Sequence, residues 1–364
     1  MRETVFITGA AGMMGQHLLQ AICACEQVAG VLVLTHSSPP CVHHPKIEVV
    51  KGDITLSGLG LQPGSAQRMA RDITTIIHSA AETSFSAELP LARTVNVAGT
   101  ENVFRFAANC RQLKAVCHLS TVYVAGKRVG TIRESDSEHD RGFVNSYEQS
   151  KYEAEQLVRL WSSNLPVSIV RLSTILGDSR SGAPTKLGGI HHALRFFFHS
   201  LAPFVPGTAE SPVDLISLDY AADAVVTLAL RQFTPSSTWH VCGGADSLPL
   251  GELLDLSLQL FSQYRPAWRK RAIAKPAIVQ LETFERFAQS VEELDEPTLR
   301  SVVNVIKHFA PQMAYPKTIN DCVTQRVLEP AGVSRPRIAD FYPKVIGYLL
   351  DHHWQPARPG SCCL

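Results

Sequence analysis

The chain has 364 residues, 45% of them hydrophobic and 18% charged, and its 34 basic and 33 acidic side chains leave a net charge of +1. That length is about two domains' worth, or one large α/β unit carrying a lobe. The balance excludes intrinsic disorder, linker-dominated chains and a nucleic-acid binder that works by neutralising phosphates. In chain order, residues 4–8 read as a buried strand, 13–25 as a helix, 31–34 and 47–50 as two more strands. Residues 73–78 read as a fourth strand, 91–108 as a long helix, 115–119 as strand five, 146–162 as a helix and 167–171 as strand six. Continuous apolar strands alternating with amphipathic helices predict a parallel sheet covered on both faces. Right-handed crossovers then give a doubly wound Rossmann arrangement of the α/β class.

The pattern loosens after residue 175. Residues 179–189 form a Gly-, Ser- and Pro-rich loop, and 191–200 a helix carrying Phe196, Phe197 and Phe198. Short strands are expected at 213–216 and 239–242, with a helix over 221–230 and mostly helix from Leu250 onward. The expected division is a dinucleotide-binding domain over 1–176 plus 213–247. A smaller, mainly helical substrate lobe takes 177–212 plus 248–364.

The N-terminus enters a strand directly, so no signal peptide is expected. Nine cysteines, an odd number without a C-x-x-C pair, argue against zinc ribbons and disulfide frameworks. Most are expected to fill core. No run is apolar for long enough to span a bilayer. The tail Ser361-Cys362-Cys363-Leu364 is not a prenylation box, because Ser stands fourth from the end. A reducing, cytoplasmic setting fits these observations, and no metal site is expected.

The first chemical motif is Gly9-Ala10-Ala11-Gly12-Met13-Met14-Gly15, placed after strand one and opening a helix. Gly9 permits the tight turn, Gly12 lets the backbone approach a pyrophosphate, and Gly15 lets helix and strand pack closely. The free N–H groups and partial positive charge of the helix N-terminus suit the phosphates. A ribose-binding acid is expected about 20 residues on, but the place reads Thr35-His36-Ser37-Ser38, with no acid between Glu26 and Glu48. No Arg or Lys lies between Arg2 and Lys46 either. Hydroxyls and His36 favour NADP as cofactor, with NAD the alternative. Asp53, followed by Ile54, can accept from an adenine amino group or close an Asx turn. Ser79, Ala80 and Ala81 after strand four are small enough to let the chain pass beneath the cofactor. His78 reads as a core histidine.

The second motif is Tyr147-Glu-Gln-Ser-Lys151 on a predicted helix. The i, i+4 spacing puts phenol and amine on one face. A nearby cation is expected to lower the phenol towards the working range. Tyr147 would donate a proton as hydride arrives, while Lys151 holds the nicotinamide ribose. The third motif, Ser120-Thr121 at the end of strand five, offers a hydroxyl where doubly wound sheets bind ligands. Thr121 can hydrogen-bond a substrate carbonyl and steady developing negative charge.

On these stretches the sequence resembles the extended short-chain dehydrogenase/reductase superfamily. Asn96-Val-Ala-Gly-Thr, His118 to Val124 and Arg171 add to the likeness, which covers roughly residues 4–180. Within the superfamily it is most similar to thioester reductases and fatty acyl-CoA reductases, through 118–124, Gly177-Asp178-Ser-Arg-Ser-Gly182 and Val213-Asp214 to Ala224. The resemblance implies Thr121, Tyr147 and Lys151 as the catalytic set, with Ser120 a neighbour; Asn96 matches the family's helix-buried Asn, structural by first reading and a cofactor contact by second. Many thioester reductases carry a basic residue after strand two, where this chain has Thr35-His36. The activity implied is reduction of an acyl thioester or related lipophilic carbonyl, with an acyl carrier protein as a candidate partner. The alternatives are a nucleotide-sugar epimerase or dehydratase, a hydroxysteroid-type dehydrogenase, or a non-catalytic NADP-sensing regulator. The bulky residues Phe196–Phe198, Leu201, Phe204 and Val205 suit an acyl chain or ordinary lobe core. Arg265, Arg269, Lys270 and Arg271 suit phosphates, an acidic carrier or a solvated helix end.

Overall fold

The computed structural model describes residues 2–268, 275–294 and 296–357. Seven strands form one parallel sheet: β1 (Glu3–Thr8), β2 (Val28–Thr35), β3 (Ile47–Lys51), β4 (Thr75–His78), β5 (Ala115–Thr121), β6 (Val167–Leu172) and β7 (Thr238–Val241). Their spatial order is β7-β6-β5-β4-β1-β2-β3. The chain winds one way from β1 to β3, then starts again at β4 on the other side of β1. The crevice between β1 and β4 is the switch point where doubly wound sheets bind ligands.

Both sheet faces are covered, as the apolar strands require. Along β1, Val5 and Ile7 enter the core under α1 (Met13–Ala24), while Phe6 enters the core on the opposite face. That second face is closed by α2 (Pro63–Asp72), α3 (89–107) and α4 (Ser146–Trp161). The long helix expected over 91–108 is broken by a π turn at Thr94–Ala98, which carries Asn96. Such turns mark places where a helix makes room for a functional or packing demand.

After β6 the chain leaves the sheet. It forms α5 (Gly189–Phe198), then α6 (Leu218–Val226) against α1, and returns as β7 beside β6. Beyond β7 come α7 (Leu250–Tyr264), α8 (Leu281–Glu293), α9 (Pro297–Ile306), α10 (Cys322–Leu328) and α11 (Ile338–Asp351). A separate core forms here around Phe197, Leu253, Phe261, Phe341 and Tyr342. Two short parallel pairings tie late segments to earlier ones: Lys317–Ile319 with Gly130–Ile132, and Ala277–Val279 with Phe204–Pro206.

The Phe196–Phe198 run serves three partners. Phe196 packs in the cluster around Phe284, Phe197 lines a cavity, and Phe198 stacks on Trp268 with ring centroids 5.8 Å apart. Of the expected basic cluster, Arg265 pairs with Asp351 at 2.8 Å. Arg269, Lys270 and Arg271 lie outside the described residues, as do Cys362 and Cys363 of the tail. Five cysteines are buried, Cys41 is half-buried and Cys322 is exposed. Among the described residues no helix is long and apolar enough to cross a membrane, and no His/Cys/Asp/Glu group can hold a metal.

Candidate active site

One cavity of about 1240 Å³ runs along the carboxyl ends of the strands and on into the lobe. Single-ligand pockets span roughly 300–1,000 Å³, so this one has room for a second ligand.

The glycine turn forms one end. Gly9 has φ +74°, and a Cβ there would lie 2.5 Å from the Ala80 backbone nitrogen. A Cβ on Gly15 would overlap the backbone of Gly9 and Ala10. Gly12 differs: its nearest neighbour would be the Gly9 carbonyl at 3.2 Å, and its open side faces the cavity. Gly12 also starts α1 with no side-chain cap and no acid in the first turn. The unpaired N–H groups of that turn are left for an anion. Ala11, Met13 and Met14 line the same wall. These features fit the pyrophosphate of a dinucleotide.

Thr35, His36 and Ser37 border the cavity beyond the glycine turn, and Asp53 and Ile54 face them. One Asp53 oxygen closes an Asx turn, accepting from the Thr55 backbone N–H and hydroxyl at 2.8 Å each. The other lies 3.4 Å from His36 Nε2. Ser79, Ala80 and Ala81 form the floor. His78 stays in the core, its ring nitrogens bonded to Thr8 at 2.8 Å and Thr100 at 3.0 Å. Burial pulls its pKa down to about 3.

Asn96 does not line the cavity, so of its two readings the structure offers the buried, structural one and not the cofactor contact. It is fully buried in the π turn. Its side chain accepts from the Glu82 N–H at 2.8 Å and donates to the Glu82 carbonyl and to Ser150. It therefore anchors the loop that follows β4 to α4.

Ser120, Thr121, Tyr147 and Lys151 all line the cavity where crevice and lobe meet. α4 presents Tyr147 and Lys151 on one face, and Asn145 caps it by accepting from the Glu148 N–H at 3.0 Å. Desolvation pushes the Tyr147 phenol up to about 12, against the opposing pull of the Thr121 hydroxyl. This corrects the expectation of a phenol lowered by its cation. The physical reason is where the amine points. Lys151 Nζ donates to the Leu119 carbonyl at 2.7 Å and sits 3.4 Å from His118 Nε2. Desolvation pulls Lys151 down to about 8, opposed by the charge of Glu155 one turn further along. Glu155 is itself held by Arg171 at 2.7 Å, a buried pair behind the site. A neutral phenol suits proton donation.

Glu148 ties this helix end to the lobe. It accepts from the Val144 N–H at 3.0 Å, from Asn145, and from Gln312, whose oxygen takes a bond from Lys317 at 2.9 Å. Burial pushes the Glu148 carboxyl up and the Lys317 ammonium down.

Of the remaining wall, sequence reasoning named Phe197, Phe204 and Val205 and missed the rest. Phe85 packs on Tyr147 with centroids 5.5 Å apart, and Tyr123 bonds Thr174 at 2.6 Å. Tyr123 stands inside a motif read for Ser120 and Thr121, so its place was available. Phe85 and Thr174 carry no spacing signal. In the lobe the cavity is walled by Phe197, Phe204, Leu250, Leu254, Ile306, Phe309 and Met313.

Comparison with known proteins identifies the family and the fold. The family model described as "Male sterility protein" matches residues 37–225, more than half of the chain. The chain belongs to this NAD-binding family. It is 23% identical over 224 residues to a Drosophila melanogaster fatty acyl-CoA reductase, covering 48% of this chain and 43% of the relative. The terminal R domain of the myxalamid PKS-NRPS pathway superposes with TM-score 0.79 at 23% identity, over 97% of this chain and 92% of that one. A thiolation-reductase di-domain of an archaeal non-ribosomal peptide synthetase gives TM-score 0.72 at 18% identity, over 97% and 76%. The chain spans less than half the length of the first curated relatives it matches.

Proposed function

We propose that the chain reduces an acyl thioester or related lipophilic carbonyl, with NADP preferred over NAD. One observation carries this reading: the same cavity that holds the glycine turn opens, past Tyr147, into an apolar chamber. Bound there, the dinucleotide supplies hydride to the carbonyl carbon. Tyr147 gives its proton to the carbonyl oxygen, and Thr121 holds phenol and oxygen in register. Lys151 leaves the Leu119 carbonyl to hold the nicotinamide ribose and, charged, steadies the phenolate that proton donation leaves. Residues 1–176 with 213–247 carry the cofactor, and 177–212 with 248–364 the acyl group.

The NADP preference rests on Thr35, His36, Ser37 and Ser38, four hydrogen-bonding side chains with no acid among them. A carboxylate free at that edge would hold a 2′-hydroxyl and repel a 2′-phosphate; the nearest one, Asp53, has one oxygen on Thr55 and the other 3.4 Å from His36. The likeness to R domains, one of them joined to a thiolation domain, supports a substrate tethered to a carrier protein. A sugar-nucleotide substrate is disfavoured because its diphosphate needs several cations, whereas the lobe wall is mostly phenyl and aliphatic, with Lys186, His192 and His308 its basic side chains. The test is turnover of NADPH and NADH with a panel of acyl thioesters, products being read by mass. Aldehyde or alcohol formed faster with NADPH supports the reading. Cofactor binding with no turnover of any carbonyl would point to a sensor instead.

A further inference from the structure

A second hydroxyl site stands beside Tyr147. Tyr123 and Thr174 are half-buried, both line the cavity, and their oxygens are 2.6 Å apart. Two hydroxyls own two protons, and the bond between them spends one. Among the described residues neither oxygen has a further hydrogen-bond partner. One O–H is therefore left to serve the cavity. Its position is fixed from both sides. The Tyr123 N–H donates to the Thr121 hydroxyl at 3.2 Å. Phe85 stands between the two tyrosines, with its ring 5.5 Å from Tyr147 and 6.4 Å from Tyr123. Thr174 belongs to a short strand paired with Leu215–Ile216.

The carbonyl oxygen already has Tyr147 and Thr121. A thioester, unlike an aldehyde, has a second atom that gains charge in the reaction: the departing sulfur. We propose that the Tyr123–Thr174 pair is the donor site for that sulfur. The inference rests on the thioester-reductase reading above. Hydride from the nicotinamide cofactor and the proton of Tyr147 convert the thioester to a hemithioacetal. The C–S bond then breaks, and its electron pair leaves on sulfur. The O–H proton returns to the Tyr147 phenolate as the aldehyde C=O forms. The free O–H of the pair donates a hydrogen bond to the thiolate, which takes its own proton from water after release. Desolvation pushes Tyr123 up to about 12, so it donates a bond without losing its proton.

The experiment measures single-turnover aldehyde formation by wild type, Tyr123→Phe, Thr174→Val and Thr174→Ser, with an alkyl and an aryl thioester of one acyl group. Tyr123→Phe is expected to slow the alkyl thioester roughly 10- to 100-fold, below the 10²–10³ of an oxyanion-hole donor because sulfur accepts more weakly. The aryl thioester, whose thiolate leaves readily, should lose no more than about threefold by the same reasoning. Thr174→Val should follow Tyr123→Phe, and Thr174→Ser should restore the wild-type pattern. Cofactor affinity, read by fluorescence titration, should not change. An equal loss on both thioesters, or no loss, overturns the proposal while leaving the parent reading intact. Absence of wild-type turnover with either thioester overturns both.

Discussion

At the crevice end the cavity wall is largely backbone; at the lobe end it is side chain. Gly9, Gly12 and Gly15 act through atoms they lack, and the N-terminus of α1 acts through its peptide N–H groups. Phe197, Leu254, Phe309 and Met313 act through the shape they jointly leave open. The first kind of wall can be damaged only by adding atoms or changing a turn. The second tolerates exchange of one apolar group for another. The comparison teaches that cofactor chemistry is written into spacing, and substrate chemistry into packing between distant segments.

The sharpest way to break the comparison is at the seam, where Tyr147 stands. Tyr147→Phe should lower kcat by about 10²–10⁴, the range of a positioned general acid. Cofactor affinity should hold, because the phenol's task is proton transfer. Full activity in stopped assays would remove Tyr147 from the chemistry. Next in size is Gly12→Val. The Gly9 carbonyl, 3.2 Å from the added Cβ, must give by a few tenths of an ångström, and thermal unfolding of the variant checks that the fold holds. The intruding side chain should cost roughly 1–3 kcal/mol of cofactor binding, or about 5- to 150-fold in Kd. Undiminished binding by titration calorimetry would contradict the placement of the pyrophosphate.

A third effect is in pH. Lys151 is pulled down to about 8, so turnover should fall as pH rises through that value and its charge is lost. Between about 8 and its ordinary 10.5 the unfolded chain keeps a proton that the folded chain has released. This group's contribution to stability therefore rises with pH across that window. A rate that falls while the protein stays folded reports chemistry, and Lys151→Met should abolish that limb. The smallest effect is expected in the chamber. Leu254→Phe should displace one or two methylene groups of a long acyl chain, each worth about 0.8 kcal/mol. KM for a long-chain thioester should rise roughly 4- to 15-fold and that for an acetyl thioester hardly at all. Equal KM changes for both would place the acyl chain elsewhere.

The sheet was legible because each strand is a short apolar run closed by a turn, and the first six follow in order. The glycine turn, Ser120-Thr121 and Tyr147-x-x-x-Lys151 were legible because each motif sits at a strand end or on one helix face. What escaped depends on long-range contacts. The partners of Asn96, Glu82 and Ser150, stand 14 and 54 residues away along the chain. The direction of the Lys151 amine is set by the Leu119 carbonyl, which spacing along α4 cannot reveal. Gln312 reaches Glu148 from 164 residues away, and nothing near either residue announces the contact.

The central claim is that hydride enters a thioester carbonyl next to Tyr147. It is tested most directly by a single turnover with a long-chain acyl thioester and cofactor deuterated at the transferable position. The account predicts an aldehyde, or the alcohol derived from it, that carries the deuterium. Thioester recovered unchanged with the deuterated cofactor bound and unoxidised would contradict it.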